Sequence, residues 1–542
     1  MSILADFLIA SKIAEFFKVD STGKMTTTTL AKQVNYQMLA VKKINGNIRI
    51  FTTNETYTVN TEDELMDVSK WVVDGGTVLA PVGGFSAAFV MEGDDGIKII
   101  PTNLQGYKHA VYLDVEKCNG CTTCLKHCPT EAIRIKDGHA VINEARCIDC
   151  GECIRVCPHH AKYAARDSLE QINKFKYKIA LPAPALYGQF NNLDDINIIL
   201  NALPQLGFDA VFEVSKAAEL VSEATRLYIE TQPHEKPIIS SACPAVVRLI
   251  RVCFPELIDN ICLVNAPVEE AGRLARIKAV QKTGLPPEEI GIFFITPCPA
   301  KMTSFKQPIG VNKSNIDGAI AINDIYPVLL KAMESLDASD DLKAMHESGV
   351  IGISWATSGG EVSGTLNDNT LAADGIENCM KILEEVDRGN LDSIDFIELN
   401  ACQGGCVGGS LTAENPFIAK SRLMKLRRYN PVSCNHLGTK EFPRELFCDI
   451  PIEPNDEVMK LADNVSEAMA RMAEMKKLLD TLPGLDCGTC GAPSCKALAE
   501  DIVRGYGHPD DCVFRLRENL HEIDTAEELS RVIPAPFRKK ED

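Results

Sequence analysis

No run of about 18 apolar residues occurs in the 542-residue sequence, so no segment predicts a transmembrane helix. The start, Met1 to Phe7, has no basic stretch and carries an acid at Asp6. It predicts no secretory leader, and the cytoplasm is the expected compartment. Positive charge is in deficit: 56 Lys and Arg face 75 Asp and Glu, a net charge of −19. Such a chain has no global basic field to attract phosphate, which argues against nucleic acid as a main partner. A flavin or nicotinamide motif is also missing, which weakens a reading as an electron-bifurcating subunit.

Cysteine, by contrast, is abundant, at 21 residues. In a large chain with no export signal, tight cysteine clusters point to metal thiolates in a reducing compartment rather than to disulfides. Sixteen fall into groups of four. The other five, Cys253, Cys262, Cys379, Cys434 and Cys448, are expected to be small buried apolar residues with inert thiols.

Length suggests three or four domains, and 45% apolar residues suffice for a large core. Residues 1–105 read as a small α+β domain of unassigned role. Leu4, Phe7, Leu8, Ile13 and Phe16 recur at helical spacing, Val41–Val59 reads as strands about Asn45-Gly46, and Val78–Ile100 is β-rich. Residues 106–170 hold Cys118-x2-Cys121-x2-Cys124-x3-Cys128-Pro and Cys147-x2-Cys150-x2-Cys153-x3-Cys157-Pro. This is the spacing of a two-cluster ferredoxin, in which the fourth cysteine of each run ligates the other cluster. One [4Fe–4S] cluster is thus expected on Cys118, Cys121, Cys124 and Cys157, the other on Cys147, Cys150, Cys153 and Cys128. The basic residues around them (Lys117, Lys126, His127, Arg134, Lys136, Arg146 and Arg155) read either as a landing site for an acidic ferredoxin or as a solvated face.

Residues 171–425 alternate short apolar runs with helical segments: Tyr177–Pro182, Ala210–Val214, Pro237–Ala242, Gly291–Thr296, Gly318–Ile322 and Ile394–Leu399. This pattern predicts an α/β domain with mostly parallel strands. Three strings follow strands directly: Ser-Ser-Ala-Cys-Pro at 240–244, Thr-Pro-Cys-Pro-Ala-Lys at 296–301 and Asn-Ala-Cys-Gln-Gly-Gly-Cys at 400–406. Their four cysteines, Cys243, Cys298, Cys402 and Cys406, can meet beyond the carboxyl ends of the strands, where open α/β sheets collect ligands. Residues 426–480 form a connecting segment. In it a long amphipathic helix is expected over 455–482, where Val458, Leu461, Val465, Met469, Met472, Met475 and Leu479 make a stripe expected to face a core. Residues 481–542 carry Cys487, Cys490, Cys495 and Cys512 in a Gly-rich loop, a pattern similar to the small [4Fe–4S] modules of redox proteins. A zinc ribbon is the alternative, weakened by the unequal spacing and the lack of a second CxxC.

The three strings resemble the cluster-binding signatures of [FeFe]-hydrogenases, and the likeness extends over about 106–425. The resemblance implies an H-cluster. This is a [4Fe–4S] cubane on Cys243, Cys298, Cys402 and Cys406, with Cys406 bridging to a two-iron unit that carries CO, cyanide and a dithiolate. It implies a cyanide contact from Lys301 and a pocket that includes Ala183, Pro184, Thr296, Ser358, Gly359 and Asn400. The substrates would be H2 and protons, the partner a ferredoxin or another redox or signalling protein, with no membrane partner; an oligomer is compatible with the sequence. The departures concern proton delivery. Ala242 stands where the family has its proton-relay cysteine. Ser304 replaces a Glu that orients the lysine, Thr296 and Asn400 replace methionines, and only Glu223 is acidic near 223–225. The combination is similar to the divergent, sensory (group D-like) branch. It implies slow, reversible H2 oxidation for H2 or redox sensing. A non-catalytic assembly, electron-transfer or signalling protein without the two-iron unit is the alternative.

Overall fold

In the computed structural model the chain divides into two compact units, residues 1–108 and 109–542. Described are the strands of the first unit and residues 109–519 of the second, except 233–234, 337–341, 440, 456–457, 459–460 and 463. In the first unit, Ala40–Ile44, Asn47–Phe51 and Thr56–Val59 form an antiparallel meander, and Ala88–Gly93 pairs with Gly96–Pro101. The β-rich reading of 41–59 and 78–100 holds; the helical spacing between Leu4 and Phe16 lies outside the described residues.

The second unit opens with β1 (Val111–Leu113), α1 (Thr123–Lys126), β2 (Ile133–Lys136), β3 (His139–Ile142), α2 (Glu152–Arg155) and β4 (Lys162–Ala164). β1 pairs with β4, and β2 with β3, all antiparallel. Each single-turn helix carries a ligand-run cysteine, Cys124 on α1 and Cys153 on α2.

There follow β5 (Tyr177–Pro182), β6 (Ala210–Val211), α3 (Val214–Thr231), β7 (Ile238–Ile239), α4 (Pro244–Cys253), α5 (Pro267–Thr283), β8 (Ile290–Thr296), α6 (Pro299–Lys306), β9 (Gly318–Ala321), α7 (Gly360–Thr365), β10 (Thr370–Asp374) and β11 (Phe396–Asn400). They build two parallel sheets, ordered β6-β5-β8-β9 and β7-β11-β10. β8 is buried at every residue, with Phe294 between Leu181 and Ala319. Such apolar strands are covered on both faces, which is how a parallel sheet is stabilised. The unpredicted strand is β10; it is half-buried apart from the exposed Ala372 and gives no long apolar run to read.

The two sheets fix where the site forms. Cys243 and Cys402 follow strands of the three-stranded sheet, and Cys298 follows β8 of the four-stranded one. The cysteine loops therefore belong to the carboxyl ends of both sheets.

The 426–480 stripe differs from expectation. The helix, α8, spans only Val465–Thr481, because Asn464 caps it by accepting the Glu467 N–H at 2.7 Å. Val465, Met469 and Met472 are 77, 70 and 54% exposed, so they are not core residues. Of the stripe, Val458 packs on the α/β core, and within α8 only the last turns, through Met475, Leu478 and Leu479, pack, on the C-terminal module.

Candidate functional site

Cys243 and Cys298 are both N-cap residues, each followed by a proline at the first helical position, of α4 and α6. A proline gives up no useful hydrogen bond there, and the helix dipole favours a thiolate at that end. Cys402 and Cys406 lie on the loop after β11. That loop is tied down by main-chain bonds: Ser358 N–H to Gly404 O at 3.0 Å, Val407 N–H to Ala356 O at 3.0 Å, and Leu411 N–H to Pro297 O at 3.1 Å. Gly405 has φ +91°, and a Cβ there would come within 2.5 Å of the Ser358 nitrogen, so no side chain fits this approach.

The result is one cavity, with about 880 Å³ of atom-free space including its mouth, onto which all four cysteines open. Ala183, Pro184, Ala242, Lys301 and Asn400 line it too. Burial pushes the Cys298, Cys402 and Cys406 thiols up, Cys406 to about 12, and their mutual repulsion adds to this. Four converging thiols, of which Cys298, Cys402 and Cys406 resist ionisation on their own, are a donor set that a cluster of iron cations would deprotonate, so the residues fit a cubane. Lys301 donates to Ala242 O at 3.1 Å and has two further protons to offer.

Five predicted residues take other roles. Thr296 is fully buried; its hydroxyl accepts the Cys298 N–H at 3.1 Å and braces the turn instead of facing the cavity. The Ser304 hydroxyl donates to Lys301 O at 2.9 Å within α6; it does not orient the ammonium, and it lines a neighbouring cavity with Glu269. Ser358 and Gly359 contribute main-chain donors, Gly359 N–H to Glu398 Oε1 at 3.1 Å. Glu223 meets His436 Nδ1 and the Leu437 N–H, outside the cavity lining.

Sequence reasoning missed Glu361 and Glu398. Both line the cavity and both are buried. The Ser240 hydroxyl donates to Glu361 Oε2 at 2.6 Å, and Asn400 Nδ2 donates to Glu398 Oε1 at 2.6 Å. Burial, then the neighbouring Glu398 carboxylate, pushes Glu361 up to about 8. Burial raises Glu398 as well. The signal was available: an acid in the middle of the apolar strand Phe396–Asn400, and another after Gly359-Gly360.

In the ferredoxin-like region the crossed assignment has a direct spatial counterpart. One cavity is lined by Cys118, Cys121, Cys124 and Cys157, a second by Cys128, Cys147, Cys150 and Cys153. The Ala132 and Ala161 N–H groups donate to the Cys128 and Cys157 sulfurs at 3.2 and 3.3 Å, bonds that tune a cluster upward in potential. In the C-terminal module, Cys490, Cys495 and Cys512 pack together around Leu482 and Leu498, and Cys487 is exposed.

The basic residues near the ferredoxin motifs are mostly engaged within the chain. Arg134 forms two bonds to Asp501, at 2.5 and 3.1 Å, and Arg146 two to Glu500, at 2.8 and 2.7 Å. Lys136 Nζ donates to Tyr506 O at 2.9 Å, and the Ile135 N–H to Gly491 O at 2.8 Å. The part of this face formed by Arg134, Lys136 and Arg146 is thus the seat of the C-terminal module, with acids on α9 (Cys495–Val503) opposite, whereas Lys117, Lys126 and His127 stay exposed. Of the five unassigned cysteines, Cys262 and Cys379 are buried as expected, whereas Cys253 and Cys434 are exposed.

Residues 176–410 match the family described as the iron-only hydrogenase large subunit, C-terminal domain. Over these residues the chain is similar to the [FeFe]-hydrogenases and diverges from them. Residues 110–158 of this hydrogenase-like chain match a 4Fe–4S dicluster domain, and residues 482–514 an Fe–S cluster family. It is 24% identical over 380 residues to the NADP-reducing hydrogenase subunit HndD of Solidesulfovibrio fructosivorans, covering 55% of this chain and 64% of that protein. To iron hydrogenase 1 of Clostridium pasteurianum it is 23% identical over 386 residues, 58% of this chain and 67% of the relative. The probable cytosolic Fe–S cluster assembly factor oxy-4 of Caenorhabditis elegans is 22% identical over 278 residues, covering 42% of this chain and 61% of that protein. Among solved structures, HydA1 of Chlamydomonas reinhardtii superposes with a TM-score of 0.40 at 16% identity, covering 53% of this chain and 98% of that one. Among the described residues, no helix is long and apolar enough to cross a membrane.

Proposed function

We propose that the protein interconverts H2 with two protons and two electrons at an H-cluster held by Cys243, Cys298, Cys402 and Cys406, turns over slowly, and serves H2 or redox sensing. The observation that carries this is the convergence of four thiols, Lys301 and two buried carboxylates on one cavity. When bound, the H-cluster would supply the redox and Lewis-acid chemistry. Cys406 would be the thiolate shared with the two-iron unit, and Lys301 would offer its free N–H donors to a cyanide. Three further [4Fe–4S] clusters would sit in the ferredoxin-like region and the C-terminal module. Because Arg134, Lys136 and Arg146 are engaged, an external ferredoxin or signalling partner would meet the C-terminal module or the exposed Lys117, Lys126 and His127.

Proton handling falls to the chain's own groups. Ala242 carries no exchangeable side-chain proton. Glu361, raised to about 8, can hold a proton near neutral pH, and the Ser240 hydroxyl on its Oε2 continues the hydrogen-bonded line to the Ala242 N–H, 3.1 Å from Ser240 Oγ. A group able to hold a proton thus lies beside the position of the missing thiol, not at it.

The test is infrared spectroscopy of the full chain after maturation with the two-iron cofactor. CO and cyanide bands that shift on exposure to H2 are expected. Cluster iron without those bands would overturn the reading in favour of an assembly or electron-transfer protein.

A further inference from the structure

Arg155 sits on the last turn of α2, between Cys153 and Cys157, which belong to the two ferredoxin-type ligand sets. Its side chain leaves that region. Nη1 lies 3.6 Å from Cys402 Sγ and donates to Gly408 O at 3.2 Å; Nε and Nη2 reach Glu152 Oε2 at 3.1 and 2.6 Å. The Arg155 and Glu152 side chains are 27 and 23% exposed, so solvent screens the pair only in part. The guanidinium is permanently charged and planar. Its field also reaches Cys150, a ligand-set member of the neighbouring cavity.

We propose that Arg155 is a positioning residue for electron transfer: it holds a cationic N–H on the Cys402 thiolate and raises the reduction potential of the cubane held at the four-thiol site. The inference rests on the proposed presence of that cubane. Reduction adds one electron and one negative charge, and no bond forms or breaks. A cation in hydrogen-bond contact with a ligand sulfur stabilises the more negative state. Glu152 opposes this and fixes the fork, so its charge has the opposite sign of effect.

The experiment is a redox titration, followed by electron paramagnetic resonance, of the full chain reconstituted with iron and sulfide but without the two-iron unit. Arg155→Met should make the cubane at least tenfold harder to reduce, which for one electron is a downward shift of about 59 mV. Arg155→Lys should recover part of the shift, and Glu152→Gln should move the potential upward. Clusters on the two ferredoxin-type sets should shift less than the cubane. An unchanged cubane potential in Arg155→Met, or shifts of the same sign in Arg155→Met and Glu152→Gln, would overturn the proposal. Cys402→Ala separates this failure from failure of the underlying reading: if its iron content and spectra match wild type, the four-thiol site holds no cluster and both ideas fall.

Discussion

A methyl group at Ala242 stands beside a carboxyl at Glu361, and the two positions make opposite predictions. Ala242→Cys restores a thiol on the cavity wall, next to the Lys301 ammonium that donates to Ala242 O. A positioned acid–base group contributes roughly 10²–10⁴-fold in rate. H2 evolution by the matured variant should therefore rise by about 10²-fold, and an unchanged rate would mean that the thiol's place is not what limits turnover. Glu361→Gln should lower the same rate by a similar factor. Glu361 also has a signature independent of turnover. Its folded pKa of about 8 lies above its ordinary 4.5, so its contribution to stability is full below 4.5 and is lost as pH rises through about 8. Difference infrared spectra should show a protonated carboxyl band at neutral pH that fades as pH passes about 8 and is missing in Glu361→Gln. A band that fades near pH 4.5 would refute the shift. These two acids also show where residue-level reading of the sequence stops. The cysteines were legible because their spacing encodes ligation. Glu361 and Glu398 were not, because an acid acquires a role only from the neighbours that desolvate it, and Ser240 lies 121 residues from Glu361.

At the scale of elements, the strands β5, β8 and β11 were readable, since two covered faces demand mostly apolar residues, and a single Lys178 or Glu398 does not hide the run. β10 and the true length of α8 were not, because exposure and capping decided them. The contacts between elements were hidden altogether. Asp149, in the loop between Cys147 and Cys150, has a side chain with no exposure. It accepts the Ala110 N–H at 2.7 Å, the Thr303 hydroxyl at 2.6 Å and Arg248 Nη1 at 3.1 Å. Arg248 lies on α4, which Cys243 caps, and Thr303 on α6, which Cys298 caps. One buried carboxylate thus ties a ferredoxin-type loop to both helices that present cubane ligands. Asp149→Ala would leave Arg248 buried without its partner, a loss of about 3–5 kcal/mol. Thr303→Val removes one hydrogen bond to a charged group and should cost about 1.5–3 kcal/mol. Denaturant midpoints of the reconstituted protein should fall in that order. A wild-type midpoint for Asp149→Ala would mean that the junction is held by apolar packing alone.

For the whole molecule, charge explains an arrangement that composition concealed. A chain of net charge −19 keeps a cationic face around its ferredoxin motifs and covers part of it, Arg134 and Arg146, with acids of its own C-terminal module. Both ion pairs, Arg134–Asp501 and Arg146–Glu500, are at least four-fifths buried at the side chain, so they should be less screened by salt than surface pairs. The exposed Cys487 loop lies on the same module, and a Cβ at Gly488 would stand 3.3 Å from Leu125 on α1, the turn that carries Cys124. Docking therefore determines whether the module's cysteines stay next to the ferredoxin-like region. Reversing one side, Asp501→Arg with Glu500→Arg, should detach the module while leaving the α/β sheets folded. Hydrogen exchange at β2, whose Ile135 N–H bonds to Gly491 O, should then accelerate by more than tenfold, the equivalent of about 1.4 kcal/mol. Reversing the partners too, Arg134→Asp and Arg146→Glu, should restore protection, because the pairing is reciprocal. If the acid-to-arginine variant keeps wild-type protection at Ile135, the apolar contacts of Leu125 and the Gly-rich loop, not the ion pairs, hold the module in place.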